Sequence, residues 1–99
     1  MILNDSISLN SVIFHNEGNV VSDMDGEKVM MSIHNGKYYN LGEIGGVIWD
    51  LMKSPISVNQ LINILRSEYA VGKNECEEQV IAFLELLYKE KLIQIQNEV

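Results

Sequence analysis

The hydrophobic positions follow two different periods, and the period changes near residue 40. Before that point, short apolar runs are separated by turn-forming residues, which is typical of β-strands. After it, apolar residues recur every three or four positions, which is typical of amphipathic helices. The pattern predicts an α+β fold in which a three-stranded antiparallel sheet is followed by three helices. Residues 1–19 are predicted to form an N-terminal segment with at most one weak strand, and residues 20–96 the domain.

The first predicted hairpin joins residues 20–24 to residues 27–33 across Asp25-Gly26. An Asp-Gly pair between β-rich segments strongly favours a two-residue hairpin turn. This register places Asp23 opposite Lys28, and an opposite-charge cross-strand pair supports the pairing by about 0.2–1 kcal/mol.

The second predicted hairpin turns at His34-Asn35-Gly36, where two registers compete. A two-residue loop pairs Ile33 with Tyr38 and spreads polar groups over the apolar face. A three-residue loop with Gly36 in the left-handed conformation pairs Met31 with Tyr39 and Val29 with Leu41. We favour the three-residue loop because it collects apolar residues of both strands on one face.

Capping residues mark the starts of three predicted helices. Asn40 with Glu43 resembles a capping box for a helix that runs to Met52, and Ser57 with Gln60 forms a second box after the break at Ser54-Pro55. Trp49, one turn after Gly45, is expected in the core, with Gly45 making room for its indole.

The third helix is predicted to open at Asn74 with Glu77 and to run to about Glu90, after Gly72 ends the second. Its apolar positions cover an unusually broad part of its surface, which predicts contacts with more than one element. Residues 92–96 alternate, which predicts either a terminal strand or packing of Leu92 and Ile93 beneath the helices.

Composition and charge restrict the function classes. The 99 residues suit one domain, and 14 acidic against 7 basic residues give a net charge of −7, which opposes nucleic-acid binding. The single cysteine, Cys76, excludes an intramolecular disulfide, and no apolar run approaches a membrane span. With no secretory signal in the sequence, we expect a cytoplasmic protein that does not bind a membrane.

Recognisable catalytic chemistry is missing from the sequence. His15 and His34 are predicted to lie in separate turns without partners at metal-ligand spacing, so no metal site is expected. Cys76 has no identifiable base, and no phosphate-binding loop, nucleophile elbow or dinucleotide motif occurs. We therefore expect neither a cofactor nor catalysis by this chain alone.

The feature that suggests a function is the short strand at residues 37–41, whose outer edge no later strand obviously covers. Such an edge can accept an extended peptide as an added strand, with side chains entering a groove beside the third helix. An ordinary edge strand protected by Lys37 explains the same sequence equally well.

Three segments of the chain together form a recognisable sequence pattern: DMDGE at residues 23–27, GKYYNL at 36–41 and IGGVIW at 44–49. They resemble the PqqD-like family of peptide recognition domains, and the likeness extends from about residue 20 to residue 95. Within that family the sequence is most similar to the leader-binding proteins of lasso-peptide clusters. The resemblance implies a winged helix-turn-helix domain without its own activity, which binds the leader of a ribosomally made precursor peptide.

The same resemblance implies a binding site and partners. The leader would add to strand 37–41 and lie against helix 75–90, anchored by a Tyr-x-x-Pro motif; the implied peptide-binding residues are Lys37, Tyr38, Tyr39, Asn40, Leu41, Cys76, Gln79, Val80 and Phe83. The implied partners are a cysteine leader peptidase and an ATP-dependent macrolactam cyclase. Two alternatives stay open: a winged-helix transcription regulator, and a PqqD-type partner of a radical enzyme in another peptide pathway.

Overall fold

A computed structural model describes residues 7–96 of the chain. Within that range lie six strands and three helices: β1 (Val12–His15), β2 (Asn19–Met24), β3 (Glu27–Ser32), β4 (Lys37–Leu41), α1 (Gly42–Leu51), β5 (Ile56–Ser57), α2 (Val58–Glu68), α3 (Lys73–Lys89) and β6 (Ile93–Gln96). Residues 1–6 of the predicted N-terminal segment lie outside the described residues. No helix in the described range is long and apolar enough to cross a membrane.

The strands form two antiparallel sheets of three strands each. One has the order β2-β3-β4, which is the predicted three-stranded sheet, and the other has the order β5-β1-β6. The predicted order of a three-stranded sheet followed by three helices holds for β2, β3 and β4 but is incomplete, because β5 lies between α1 and α2. Of the two alternatives for residues 92–96, the terminal strand is confirmed as β6, which pairs with β1. The sheet that these strands form with β5 was not predicted, since β5 has only two residues and therefore no readable periodicity.

The β2–β3 hairpin has the predicted register. Asp25 and Gly26 both have positive φ, 55° and 85°, as a two-residue turn of this kind requires. Asp23 pairs with Lys28, and the Lys28 Nζ lies 2.7 Å from the Asp23 Oδ1.

The predicted register of the β3–β4 hairpin is wrong. Ser32 pairs with Lys37, Met31 with Tyr38 and Met30 with Tyr39, so the loop has four residues, 33–36. Gly36 has the expected left-handed φ of 66°. Hydrogen bonds within the loop explain the register: the Gly36 amide donates to the Ser32 carbonyl, and the Asn35 amide donates to the Ser32 Oγ. These bonds satisfy a serine that is buried in the core.

One helix start agrees with its predicted cap and two do not. Ser57 and Gln60 form the predicted capping box at α2. Asn40 is not an N-cap, because it lies in β4 and its Oδ1 accepts the amide of Gly42. Asn74 lies inside α3, whose N-cap is Gly72 without a side-chain cap. The N-cap of α1 is Leu41 and that of α3 is Gly72, so neither asparagine caps a helix.

Two adjacent glycines let α1 approach its neighbours closely. A Cβ on Gly46 would lie 2.8 Å from the Lys28 Cγ on β3, and a Cβ on Gly45 would lie 3.0 Å from the Phe83 ring on α3. The prediction that Gly45 makes room for Trp49 is therefore wrong. The indole is buried as expected, but it stacks on the imidazole of His15, with ring centroids 3.9 Å apart. His15 correspondingly lies in β1 and not in a turn.

Candidate functional site

The candidate site begins at β4, which is an edge strand of its sheet. Among residues 7–96, β4 pairs only with β3, and the terminal strand β6 pairs with β1 instead. The backbone groups that face away from β3 are therefore available to a strand from another molecule.

The hairpin register determines which backbone groups those are. Met24 and Glu27 flank a two-residue turn and so form a hydrogen-bonded pair. Hydrogen bonds alternate sides along a strand, so Met30 and Ser32 of β3 bond toward β4. Their partners Tyr39 and Lys37 are thereby engaged. Tyr38 and Asn40 fall between these pairs, so their N–H and C=O groups point to the open edge.

An apolar cleft lies beside this edge, between β4, α1 and the amino-terminal half of α3. It has a volume of about 230 Å³ and is lined by Leu41, Ile44, Gly45, Ile48, Leu65, Tyr69, Val71, Cys76, Gln79, Val80 and Phe83. Leu41 and Val80 are buried in its floor, while Ile44 is 45% exposed at its rim. A cleft of this kind suits an apolar or aromatic side chain of a bound peptide.

A polar cluster joins the other end of β4 to the end of α3. The Tyr39 hydroxyl donates to the Glu90 Oε1 at 2.7 Å, and the Asn35 Nδ2 donates to the Glu90 carbonyl at 2.8 Å. The Lys37 Nζ lies 3.7 Å from the same Glu90 carboxylate. The Tyr39 hydroxyl and the Lys37 charge lower the pKa of Glu90. The cluster holds β4 at a fixed separation from α3 and so defines the width of the groove between them.

The reactive side chains near the cleft show no sign of activation. Cys76 is buried, and desolvation raises the pKa of its thiol, which is the opposite of what a nucleophile needs. No group of three or more metal-ligating side chains occurs among residues 7–96.

The structure divides the predicted site residues into two groups. Leu41, Cys76, Gln79, Val80 and Phe83 line the apolar cleft together. The other predicted residues lie along β4 but do not line the cleft: Lys37, Tyr38, Tyr39 and Asn40. The Tyr38 side chain is 75% exposed, and the Tyr39 hydroxyl is hydrogen-bonded to Glu90.

Sequence reasoning missed the contribution of α1 and of the α2–α3 connection to the cleft. Ile44, Gly45 and Ile48 come from α1, and Tyr69 and Val71 follow α2. The sequence shows Ile44 and Ile48 only as apolar positions at helical spacing, and such a pattern does not by itself separate a cleft from a core.

Comparison with known families assigns the fold. The family model described as coenzyme PQQ synthesis protein D (PqqD) matches residues 27–93, which is well over half of the chain. The chain belongs to the PqqD family. The match includes β4, α1 and α3, so the edge and the cleft both lie within the PqqD portion. No curated protein matches the sequence.

Two solved structures share the PqqD fold of this chain. One is TbiB1 in complex with the TbiA(beta) leader peptide, which is 22% identical, covers 86% of this chain and 99% of its own, and has a TM-score of 0.75. The other is lasso peptide synthetase B1 complexed with the leader peptide, which is 20% identical, covers 83% and 96%, and has a TM-score of 0.72. At these identities the likeness establishes the fold.

Proposed function

We propose that this PqqD-family chain binds the leader of a ribosomally made precursor peptide in lasso-peptide biosynthesis. The leader adds as a strand to the outer edge of β4 and places an apolar side chain in the cleft beside α3. The observation that carries the proposal is the edge at Tyr38 and Asn40, which no strand within residues 7–96 covers, next to an apolar cleft. Main-chain bonds to the edge supply affinity, and the cleft supplies selectivity.

The proposal also covers the pathway partners, the leader motif and the domain. The chain acts in the cytoplasm as a recognition subunit without catalytic activity, and it presents the leader to a separate cysteine peptidase and an ATP-dependent macrolactam cyclase. A Tyr-x-x-Pro motif anchors the leader. Residues 20–96 form the recognition domain, with α1, α2 and α3 arranged as a winged helix-turn-helix. The leader-bound state of both structural neighbours supports this proposal.

Isothermal titration calorimetry with the synthetic leader of the precursor peptide encoded beside this chain tests the proposal. We expect one-to-one binding with a negative heat-capacity change, because apolar surface is buried in the cleft. A scrambled leader of the same composition is the control. Absence of leader binding, or equal binding of the scrambled peptide, would rule the proposal out, and a mobility shift with DNA of the same gene cluster would then favour a transcription regulator.

A further inference from the structure

A cluster of lysines lies at the end of β4 that is farthest from the apolar cleft. Lys37 begins β4, while Lys89 and Lys91 lie at the end of α3, and the three surround a shallow depression with His34, Asn35 and Glu90. These are three of only seven basic residues in a chain of net charge −7. All three lysines are exposed, and Glu90 is the one carboxylate that lines the depression.

Most of the positive charge of this cluster is not paired with a carboxylate of the described residues. Lys37 lies near Glu90, whose carboxylate already accepts the Tyr39 hydroxyl. Lys89 and Lys91 form no ion pair within 4 Å with any residue of the range 7–96. By contrast, Lys28 in the same sheet reaches both Asp23 and Asp50.

The backbone at Lys91 provides an independent observation. Lys91 has a φ of 65°, and the amides of Lys91 and Leu92 donate to the carbonyls of Tyr88 and Leu87. This is a Schellman motif, in which the left-handed residue is most often glycine. A lysine there has a backbone conformation that is unfavourable for a residue with a Cβ and that glycine adopts without this cost, and backbone strain of this kind concentrates at functional positions.

We propose that the lysine cluster of Lys37, Lys89 and Lys91 binds an aspartate or glutamate side chain of the leader. This inference rests on the proposed function and deepens it by giving the charge and the spacing that the leader needs. Because the chain as a whole carries a net charge of −7, a local group of three lysines is a place along β4 where a carboxylate of the leader meets attraction and not repulsion.

The geometry of β4 fixes where that residue lies. Lys37 and Leu41 are four positions apart on the same face of β4, which corresponds to about 13 Å of extended chain. Side chains of an added strand repeat on one face at every second residue, so the guest residues opposite Lys37 and Leu41 are also four positions apart. The leader therefore has its acidic residue four positions from the apolar residue that fills the cleft. The spacing is the same for a parallel and an antiparallel guest.

Titration calorimetry with the same synthetic leader tests the inference. We expect the Lys89→Gln/Lys91→Gln variant to bind at least tenfold more weakly and with a smaller dependence on salt, because exposed charge pairs are screened by salt. Lys53→Gln, which removes a lysine outside the cluster, is the control and is expected to bind normally. Replacing the leader's acidic residue by its amide is expected to give the same loss, and no additional loss in the double variant.

Two substitutions at Lys91 separate binding from folding. Lys91→Gly is expected to raise the melting temperature, since glycine tolerates positive φ, and yet to weaken leader binding. Lys91→Arg is expected to retain binding because the charge remains. Normal affinity of the Lys89→Gln/Lys91→Gln variant, or a tightly bound leader without an acidic residue four positions from the apolar anchor found by alanine scanning, would overturn the inference while leaving leader binding itself intact. A wild-type chain that binds no leader would overturn both.

Discussion

At the scale of single residues, the contact between Gly46 and Lys28 shows how α1 can lie so near the sheet. The aliphatic part of Lys28 occupies the space that a Cβ on residue 46 would need, and its Nζ is held by Asp23 and Asp50. The lysine stem therefore cannot move aside easily. A charged residue in the middle strand acts here as a packing residue, with only its end group in contact with carboxylates.

We expect Gly46→Ala to destabilise the protein by about 1 kcal/mol, because the steric cost exceeds the roughly 1 kcal/mol that alanine contributes to helix propensity. Chemical denaturation monitored by circular dichroism measures this. In a Lys28→Ala background the Cγ and Cδ contacts are gone and only the Cβ contact at 3.1 Å is left, so the same Gly46→Ala substitution is expected to cost clearly less. An equal cost in both backgrounds would contradict the packing explanation.

Tyr39 and its neighbour Tyr38 offer a matched pair of single-atom changes. Tyr39→Phe removes the hydroxyl that donates to Glu90, so we expect a lower melting temperature, a pKa of Glu90 closer to its ordinary value and weaker leader binding. The exposed Tyr38 makes no such bond, so Tyr38→Phe is expected to change none of these. Nuclear magnetic resonance titration of the Glu90 carboxyl and thermal melting give the comparison. An unchanged Glu90 pKa in Tyr39→Phe would show that the cluster does not depend on the hydroxyl.

At the scale of elements, the open edge of β4 predicts that leader binding depends on the backbone N–H groups that face away from β3. Tyr38→Pro removes an N–H that points away from β3, so the sheet keeps its own hydrogen bonds. A guest strand loses one bond and meets the proline ring, and we expect at least tenfold weaker leader binding with unchanged circular dichroism. Tyr38→Ala is the matched control, since it removes the side chain and keeps the N–H. Asp23→Pro removes an outward N–H from the opposite edge strand, β2, together with the ion pair to Lys28, and is expected to leave leader binding intact.

Retained binding by a folded Tyr38→Pro variant would contradict strand addition at β4. Loss of binding in Tyr38→Ala as well would assign the effect to the tyrosine ring and not to the backbone. The two variants together therefore separate main-chain from side-chain recognition at one position.

The elements also show what the sequence determines and what it leaves to tertiary contacts. The β2–β3 register and the start of α2 are local, because an Asp-Gly turn and a Ser-x-x-Gln box contain their own hydrogen bonds. The β3–β4 register is not local. It depends on Ser32 and on the end of α3, where Asn35 binds Glu90 from 55 positions away. Counting apolar residues on one strand face could not reveal these partners.

The candidate site divides in the same way. The strand at 37–41 is predictable from the sequence, but its open edge is only partly so, because the alternating residues 92–96 offered a possible later partner that in the structure pairs with β1 instead. The cleft is not, because α1, the α2–α3 connection and α3 contribute side chains that have ordinary core periodicity. The close approach of Gly45 to Phe83, which brings α1 and α3 together at the cleft, is a tertiary contact that periodicity does not reveal.

At the scale of the whole molecule, the contact between His15 and Trp49 connects the β5-β1-β6 sheet to α1, which packs on the other sheet. The His15 Nε2 is hydrogen-bonded to the Trp49 carbonyl, and the His15 amide donates to the Met52 carbonyl at 3.2 Å. The side chain is half-buried in this contact. Protonation of the imidazole therefore places a charge in the junction between the two halves of the fold.

The pH dependence of stability follows from that junction. Burial lowers the pKa of His15 below its ordinary 6.5, and the hydrogen bond to Trp49 and the charge of Asp50 offset part of the effect. As the pH falls below 6.5, the unfolded chain takes up a proton that the folded chain resists, so the free energy of unfolding decreases. We expect chemical denaturation between pH 5 and 7 to show this decrease, and His15→Phe, which retains an aromatic ring against Trp49, to flatten it. His34→Gln changes an exposed loop histidine and is expected to keep the wild-type slope; a slope that disappears in His34→Gln and persists in His15→Phe would place the titrating group outside the junction.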